Sequence, residues 1–197
     1  MTAVPSTMLP LGTKLPRFSL PNVVDGRMVS PADFRDRPAL LVMFICNHCP
    51  YVQHVRTEIG RIADEYPPRG VGIVAISSND VAAFPDDAPD KMKAVALAEG
   101  WRFPYLFDET QAVAQAFRAA CTPEFYLFDR QRKLVYRGQL DGSRPKNDVP
   151  VTGRDLRAAL DARLSGKPIS PEQIPSVGCN IKWKPGNEPQ YFAIPAR

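Results

Sequence analysis

Two apolar runs limit the folds open to this chain more than any other feature. Leu40-Leu41-Val42-Met43-Phe44-Ile45 and Val71-Gly72-Ile73-Val74-Ala75-Ile76 show no apolar/polar alternation. A strand of that kind is covered on both faces, as in a parallel sheet flanked by helices. Between the runs, Val52, Val55, Ile59, Ile62 and Tyr66 recur at three- and four-residue steps and form one apolar stripe of a helix, which Pro67-Pro68 stops. The first run leads straight into Cys46-Asn47-His48-Cys49, with Pro50 in the first helical turn, where its missing N–H is not needed. Two thiols at the start of a helix have a definite chemical meaning. The free N–H groups there stabilise a thiolate, and the second thiol is placed to close a disulfide with the first. On this ground the thiol of Cys46 is expected to lie below the free value of about 8.5.

The remaining elements follow in order. Phe18-Ser19-Leu20 and Arg27-Met28-Val29 flank the turn signal Asp25-Gly26 and predict an N-terminal hairpin after an extended arm over residues 1–15. Ser30-Pro31-Ala32-Asp33-Phe34 predicts a capped helical turn. Helices are expected over 89–99 and 110–119, and a short strand over 103–107. The strands 125–128 and 133–138 are expected to form an antiparallel hairpin. The last helix is expected over 152–164, with Thr152 and Asp155 as a capping box. The division expected is one domain over residues 1–164 and a Pro-rich tail over 165–197 packed on or near it. Alternating strands and helices ending in a hairpin predict an α/β fold with a central mixed sheet.

The chain has 197 residues, 44% of them hydrophobic, and a net charge of +4 without a Lys/Arg block, which sets nucleic-acid binding aside. Residues 1–20 carry three prolines and no long apolar core, and they do not read as a signal peptide. A cytoplasmic location is therefore expected. In a reducing compartment a close cysteine pair is catalytic or metal-binding rather than a structural framework. A zinc site requires four ligands, usually two close pairs, and no second close pair exists here, so no metal is expected.

Strand–Cys46-x-x-Cys49–helix, Thr122-Pro123 just before a strand, and the extra helix and short strand after the second apolar run together resemble the thioredoxin superfamily. Within it they are most similar to the alkyl hydroperoxide reductase/thiol-specific antioxidant (peroxiredoxin-like) branch. The resemblance spans roughly residues 15–164, and Ser176 to Lys184 resembles the ending of thioredoxin-family proteins of this type. It implies a thioredoxin-like fold with an N-terminal hairpin and a helix–strand insertion. It implies a cis Pro123, with the backbone of Thr122 offered to an incoming extended substrate. Cys46 is then the nucleophile and Cys49 the resolving thiol, with no bound cofactor beyond their redox-active disulfide. The partners are a disulfide-bearing protein or small thiol and an upstream thiol reductant, with no nucleic acid and no membrane.

His48, between the two cysteines, is the residue expected to tune the thiolate, and His54 reads as a packing residue. Cys121, beside Thr122, is a candidate third redox thiol, and Cys179 could fold back onto the site. Two departures stand out. The buried acid that thioredoxins keep six residues before the first cysteine is Leu40 here, and the aromatic residue next to that cysteine is Ile45. Proton handling then falls to Glu124 or water. The threonine and proline that precede the peroxidatic cysteine of peroxiredoxins are replaced by Met43 and Ala39, with Pro38 one position off. Three activities fit, in this order: a thiol–disulfide oxidoreductase, a peroxiredoxin-like thiol peroxidase, and a non-enzymatic thiol or soft-metal binding module.

Overall fold

The computed structural model describes residues 3–192, so the ends of the expected arm and tail, including Pro195, lie outside it. In chain order the strands are β1 (Ala3–Pro5), β2 (Leu20–Pro21), β3 (Met28–Val29), β4 (Ala39–Phe44), β5 (Val71–Ser77), β6 (Tyr105–Phe107), β7 (Cys121–Thr122), β8 (Glu124–Phe128), β9 (Leu134–Gly138) and β10 (Val177–Asn180). The helices are α1 (Pro50–Glu65), α2 (Pro89–Ala98), α3 (Ala112–Ala116) and α4 (Arg154–Leu164).

The main sheet runs β6-β5-β4-β8-β9, with β4, β5 and β6 parallel and β8 and β9 antiparallel. Its residues show why the two apolar runs lack alternation. Leu41, Met43, Ile73, Ala75, Phe125 and Leu127 point into a core closed by α1, α2 and α4. Leu40, Val42, Phe44, Val74, Ile76, Tyr126 and Phe128 point into a second core, closed by α3, the β2–β3 hairpin and the tail. Each face alone alternates as a strand must, and both faces are buried. In the second core Phe44, Phe117 and Tyr126 meet edge to face at 5.3–6.0 Å between ring centres. Each such side chain contributes about 1.5–3 kcal/mol by leaving water.

The hairpin, the helical turn that begins after Ser30 and the strand pair β8–β9 fall where the sequence places them. Two helices differ. The helix expected over 110–119 is only α3, because Gln111 sits at φ 65° and uses its side chain to hold the tail instead. The α4 capping box does not form. Asp155 turns to Gln139 and Arg154, and the helix entry is held by Asp141, whose carboxylate accepts the N–H groups of Thr152 and Gly153 at 2.7 Å.

A second, small sheet is not visible in the sequence pattern. Its order is β1-β10-β7. The tail therefore returns to the middle of the molecule, and Cys179 lies between Ala3 and Thr122 in register. Among the described residues no helix is long and apolar enough to cross a membrane.

Candidate active site

The end of β4 and the start of α1 place the cysteine pair where the sequence puts it. Cys49 is the N-cap residue of α1, and its carbonyl accepts the N–H groups of Val52 and Gln53 at 3.0 Å. Both thiols face Thr122. The Cys46 Sγ lies 3.3 Å from the Thr122 hydroxyl, and the Cys49 thiol donates to the Thr122 carbonyl at 3.2 Å. The Thr122–Pro123 peptide is cis, as the resemblance implies.

His48 is held by Asp87. The Asp87 carboxylate accepts the backbone N–H groups of Asn47 and His48 at 2.7 and 3.1 Å, the Asn79 amide at 2.8 Å and His48 Nδ1 at 2.5 Å. The His48 ring also stacks on Phe84, at 5.1 Å between centres. Its Nε2 is buried without a partner among the described residues, so it is the ring nitrogen free for chemistry. Burial works against the Asp87 charge, but the hydrogen bonds from His48 and Asn79 outweigh it and hold the carboxyl below its usual range. Asn79 extends this network to the tail, because its side-chain oxygen accepts the Lys182 N–H at 2.8 Å.

Asp87 and Asn79 are the residues that the sequence alone does not single out. They lie in loops with no motif. A short helical turn over Pro85–Asp87 brings Asp87 under the cysteine turn from 39 residues away. Asp87→Asn would turn a donor toward groups that are themselves donors. The expected cost is about 2–4 kcal/mol, read as a fall in Tm at neutral pH. Because the native pKa is depressed, the carboxylate's contribution is present above the unfolded value of about 3.9 and is lost as pH falls through the lower native value. The gap between variant and wild type should therefore narrow on acidification below about pH 4. An equal gap at neutral pH and at pH 3 would show that the charge is not what matters.

The third thiol at the pair is Cys179, not Cys121. The reason is strand geometry. Successive side chains on β7 point to opposite faces, so if Thr122 faces Cys46, Cys121 faces away. Cys121 is bonded instead to the Pro123 carbonyl and to Glu124, at 4.0 and 3.9 Å. Residues opposite one another in an antiparallel pair share a face, and Cys179 is opposite Thr122. Its side chain lies in one buried cluster with those of Cys46 and Cys49. The same pairing corrects the docking role expected of Thr122. One edge of its backbone is already taken by β10, so no extended substrate can add on that side while β10 is in place.

Glu124 is also placed elsewhere. It is fully buried, accepts the Ser6 hydroxyl and the backbone N–H groups of Ala120 and Cys121, and ties β1 to β7 rather than serving Cys49. Burial pushes its carboxyl up. His54 donates or accepts at Ser143 Oγ, 2.6 Å away, a packing role.

The charge is distributed differently from the helix-start expectation. Burial pushes the Cys46 thiol well up, and the hydrogen bond to Cys49 and the Asp87 charge add to this. Hydrogen bonds from Cys179 and then Cys46 pull the Cys49 thiol far below its usual range. Desolvation at Cys46 exceeds what the helix start returns, because Cys46 lies four residues ahead of the first residue of α1 with 2% of its surface exposed.

Cys46, His48 and Asp87 place ligand atoms within 4.8 Å of one another. As a metal site this set is poor. Both Asp87 oxygens already accept two N–H groups each, which leaves only the sulphur and His48 Nε2 free.

Residues 11–137, well over half of the chain, match the model of the AhpC/TSA family. The chain belongs to the AhpC/TSA family. This AhpC/TSA protein is 28% identical over 121 residues to a Mycobacterium tuberculosis protein named "Putative peroxiredoxin Rv2521", a match spanning 61% of this chain and 71% of the other. It is 57% identical to an uncharacterized conserved protein from Geobacillus kaustophilus of known crystal structure, with a TM-score of 0.92, covering 94% of this chain and 98% of that one. That likeness takes in most of the tail as well as the domain. A thiol:disulfide interchange protein of the thioredoxin family from Chlorobium tepidum TLS superposes with a TM-score of 0.60 at 18% identity, covering 79% and 99% of the two chains. This last likeness places the fold of the AhpC/TSA protein among thioredoxin-like folds.

Proposed function

We propose that this AhpC/TSA protein is a thiol–disulfide oxidoreductase working through Cys46 and Cys49. The observation that carries the reading is the convergence of both thiols on Thr122, whose hydroxyl meets Cys46 and whose carbonyl meets Cys49. The Cys46 thiolate attacks one sulphur of a substrate disulfide, forming a mixed disulfide and releasing the other sulphur as a thiolate that takes up a proton. The Cys49 thiolate then attacks the Cys46 sulphur, closes the Cys46–Cys49 disulfide and releases the second substrate thiolate. Two electrons pass from the protein to the substrate, and an external thiol reductant reverses the exchange at Cys46. The Cys49 thiol, held low by its two thiol neighbours, is ready for the second step without the buried acid that Leu40 replaces. His48, fixed by Asp87, stands within 4.8 Å of the Cys46 sulphur. The covered Thr122 edge favours small-thiol disulfides or an exposed loop over an extended protein strand as substrate. A reducing, cytoplasmic setting suits four cysteines without a disulfide framework.

Cys49→Ser tests the reading. Exposed to oxidised glutathione, this variant should accumulate a glutathione adduct on Cys46, which wild type resolves. A variant that stays unmodified at Cys46 would overturn the proposal.

One observation favours a second reading, thiol peroxidase. The Thr122 hydroxyl supplies, from across the site, the donor beside the cysteine that Met43 does not. Cys46 thiolate would attack a peroxide oxygen to give a sulfenic acid and an alcohol or water, and Cys49 would condense with it, expelling water. The high thiol of buried Cys46 weighs against a fast peroxide step. Peroxide consumption driven by a dithiol at a rate well above that of disulfide exchange would reverse the order of the two readings.

A further inference from the structure

We propose that Cys179 is a redox partner of Cys49, and that the oxidised protein rests with a buried Cys49–Cys179 disulfide while Cys46 returns to the thiol form. The inference rests on the exchange reading above and extends it from two thiols to three.

Three observations carry it. Cys46, Cys49 and Cys179 share one buried cluster, and strand register sets Cys179 opposite Thr122, the residue whose carbonyl the Cys49 thiol meets. Three thiols gathered around one residue form an arrangement in which one thiol can displace another. Secondly, the position of Cys179 is built rather than accidental. β10 is clamped between β1 and β7, and beyond it the Lys182 N–H is held by Asn79 while the Lys182 carbonyl accepts from Asp80 and Gln111. Thirdly, Gly178 permits an approach that no other residue would. A Cβ there would lie 2.0 Å from the Thr122 carbonyl oxygen. The chain thus gives up a side chain at 178 to bring 179 against the cysteine pair.

The step balances within the molecule. Starting from the Cys46–Cys49 disulfide, Cys179 loses its proton and attacks the Cys49 sulphur. The Cys49–Cys179 bond forms, the Cys46–Cys49 bond breaks, and the Cys46 sulphur leaves and takes up a proton. Oxidation state is conserved, and no outside reagent is needed. The product moves the disulfide onto β10 with little change in burial, since Cys46, Cys49 and Cys179 are 2%, 0% and 3% exposed. Reversal of the step returns the disulfide to Cys46, the thiol that first met the substrate, for reduction from outside.

Peptide mapping reads this directly, because Cys46 and Cys49 share one tryptic peptide and Cys179 lies in another. Wild-type protein is oxidised with excess oxidised glutathione, blocked with an alkylating agent and digested. The expected result is a disulfide joining the two peptides as the major product, with Cys46 alkylated. In Cys179→Ser the bond should revert to Cys46–Cys49, and alkylation of Cys46 in the oxidised protein should fall at least tenfold. Cys179→Ala, which keeps a small apolar side chain on β10, should behave like the serine variant and guards against a folding defect. A Cys46–Cys49 bond alone in wild type, with Cys46 equally blocked in all three proteins, would overturn the relay and leave the exchange reading standing. Wild type with no disulfide of either kind would overturn both.

Discussion

Cys46→Ser should abolish disulfide exchange, lowering the rate with a small-molecule disulfide by about 10³-fold or more, the scale expected when an essential nucleophile is removed. The hydroxyl of serine fits the site: it is smaller than the thiol and meets the Thr122 hydroxyl, so folding should be little affected. A Tm close to wild type then assigns the loss to chemistry. Cys121→Ser serves as the comparison, because Cys121 is turned away from the pair and its loss should leave exchange at the wild-type rate. The pH dependence gives a second check. Only the thiolate attacks, and burial pushes the Cys46 thiol above its ordinary value. The wild-type rate should therefore keep rising with pH through pH 9, with no plateau near neutrality. A plateau below pH 8 would show that the thiol is not raised. Full exchange activity in Cys46→Ser would end the proposal that Cys46 is the nucleophile.

Gly178→Ala should be among the most destabilising single-methyl changes available in this chain. The added Cβ would meet the Thr122 carbonyl oxygen at 2.0 Å and the carbonyl carbon at 2.7 Å. Both are backbone atoms inside a strand pair, so neither can turn aside as a side chain could. Relief requires parting β10 from β7, which loses ladder hydrogen bonds and withdraws Cys179 from Cys49. The expected cost is about 3 kcal/mol. For a chain of this size that corresponds to a fall in Tm of about 6–12 °C. The same variant should raise the reactivity of Cys49 toward alkylation, since β10 helps cover it. A Tm within about 2 °C of wild type, with Cys49 still protected, would show that the tail does not approach Thr122 so closely.

These two variants also separate what is local in this protein from what is not. Gly178 and Cys179 sit in a tail punctuated by prolines, where no periodicity marks a strand. β10 has four residues and pairs with partners of three and two residues, far away in the chain. Strands that short carry almost no pattern of their own, and they exist because the larger sheet and its helices hold their ends. The same applies to Asp87. An acid in an irregular loop is unremarkable until folding places it against the N–H groups of Asn47 and His48. The α4 start failed as a capping box for a related reason, since Asp141, eleven residues ahead of Thr152, reached its N–H first.

The sequence by itself determined the order of strands and helices along the chain, the two-faced burial of β4 and β5, and the Cys46-x-x-Cys49 pair at the head of α1. It also marked Thr122-Pro123 as the wall that this pair faces. The wall is what the family resemblance implies; the rest depends on short-range signals: side-chain period, caps, turns and the spacing of two thiols. Only the tertiary structure decided that Cys179 rather than Cys121 meets Cys49, that the Thr122 edge is covered by the protein's own tail, and that Asp87 holds His48. Those outcomes depend on strand register and on which face each side chain takes. Register is set by contacts between residues tens of positions apart, and a shift of one residue would exchange the two faces of β7 and with them the thiol that reaches the site.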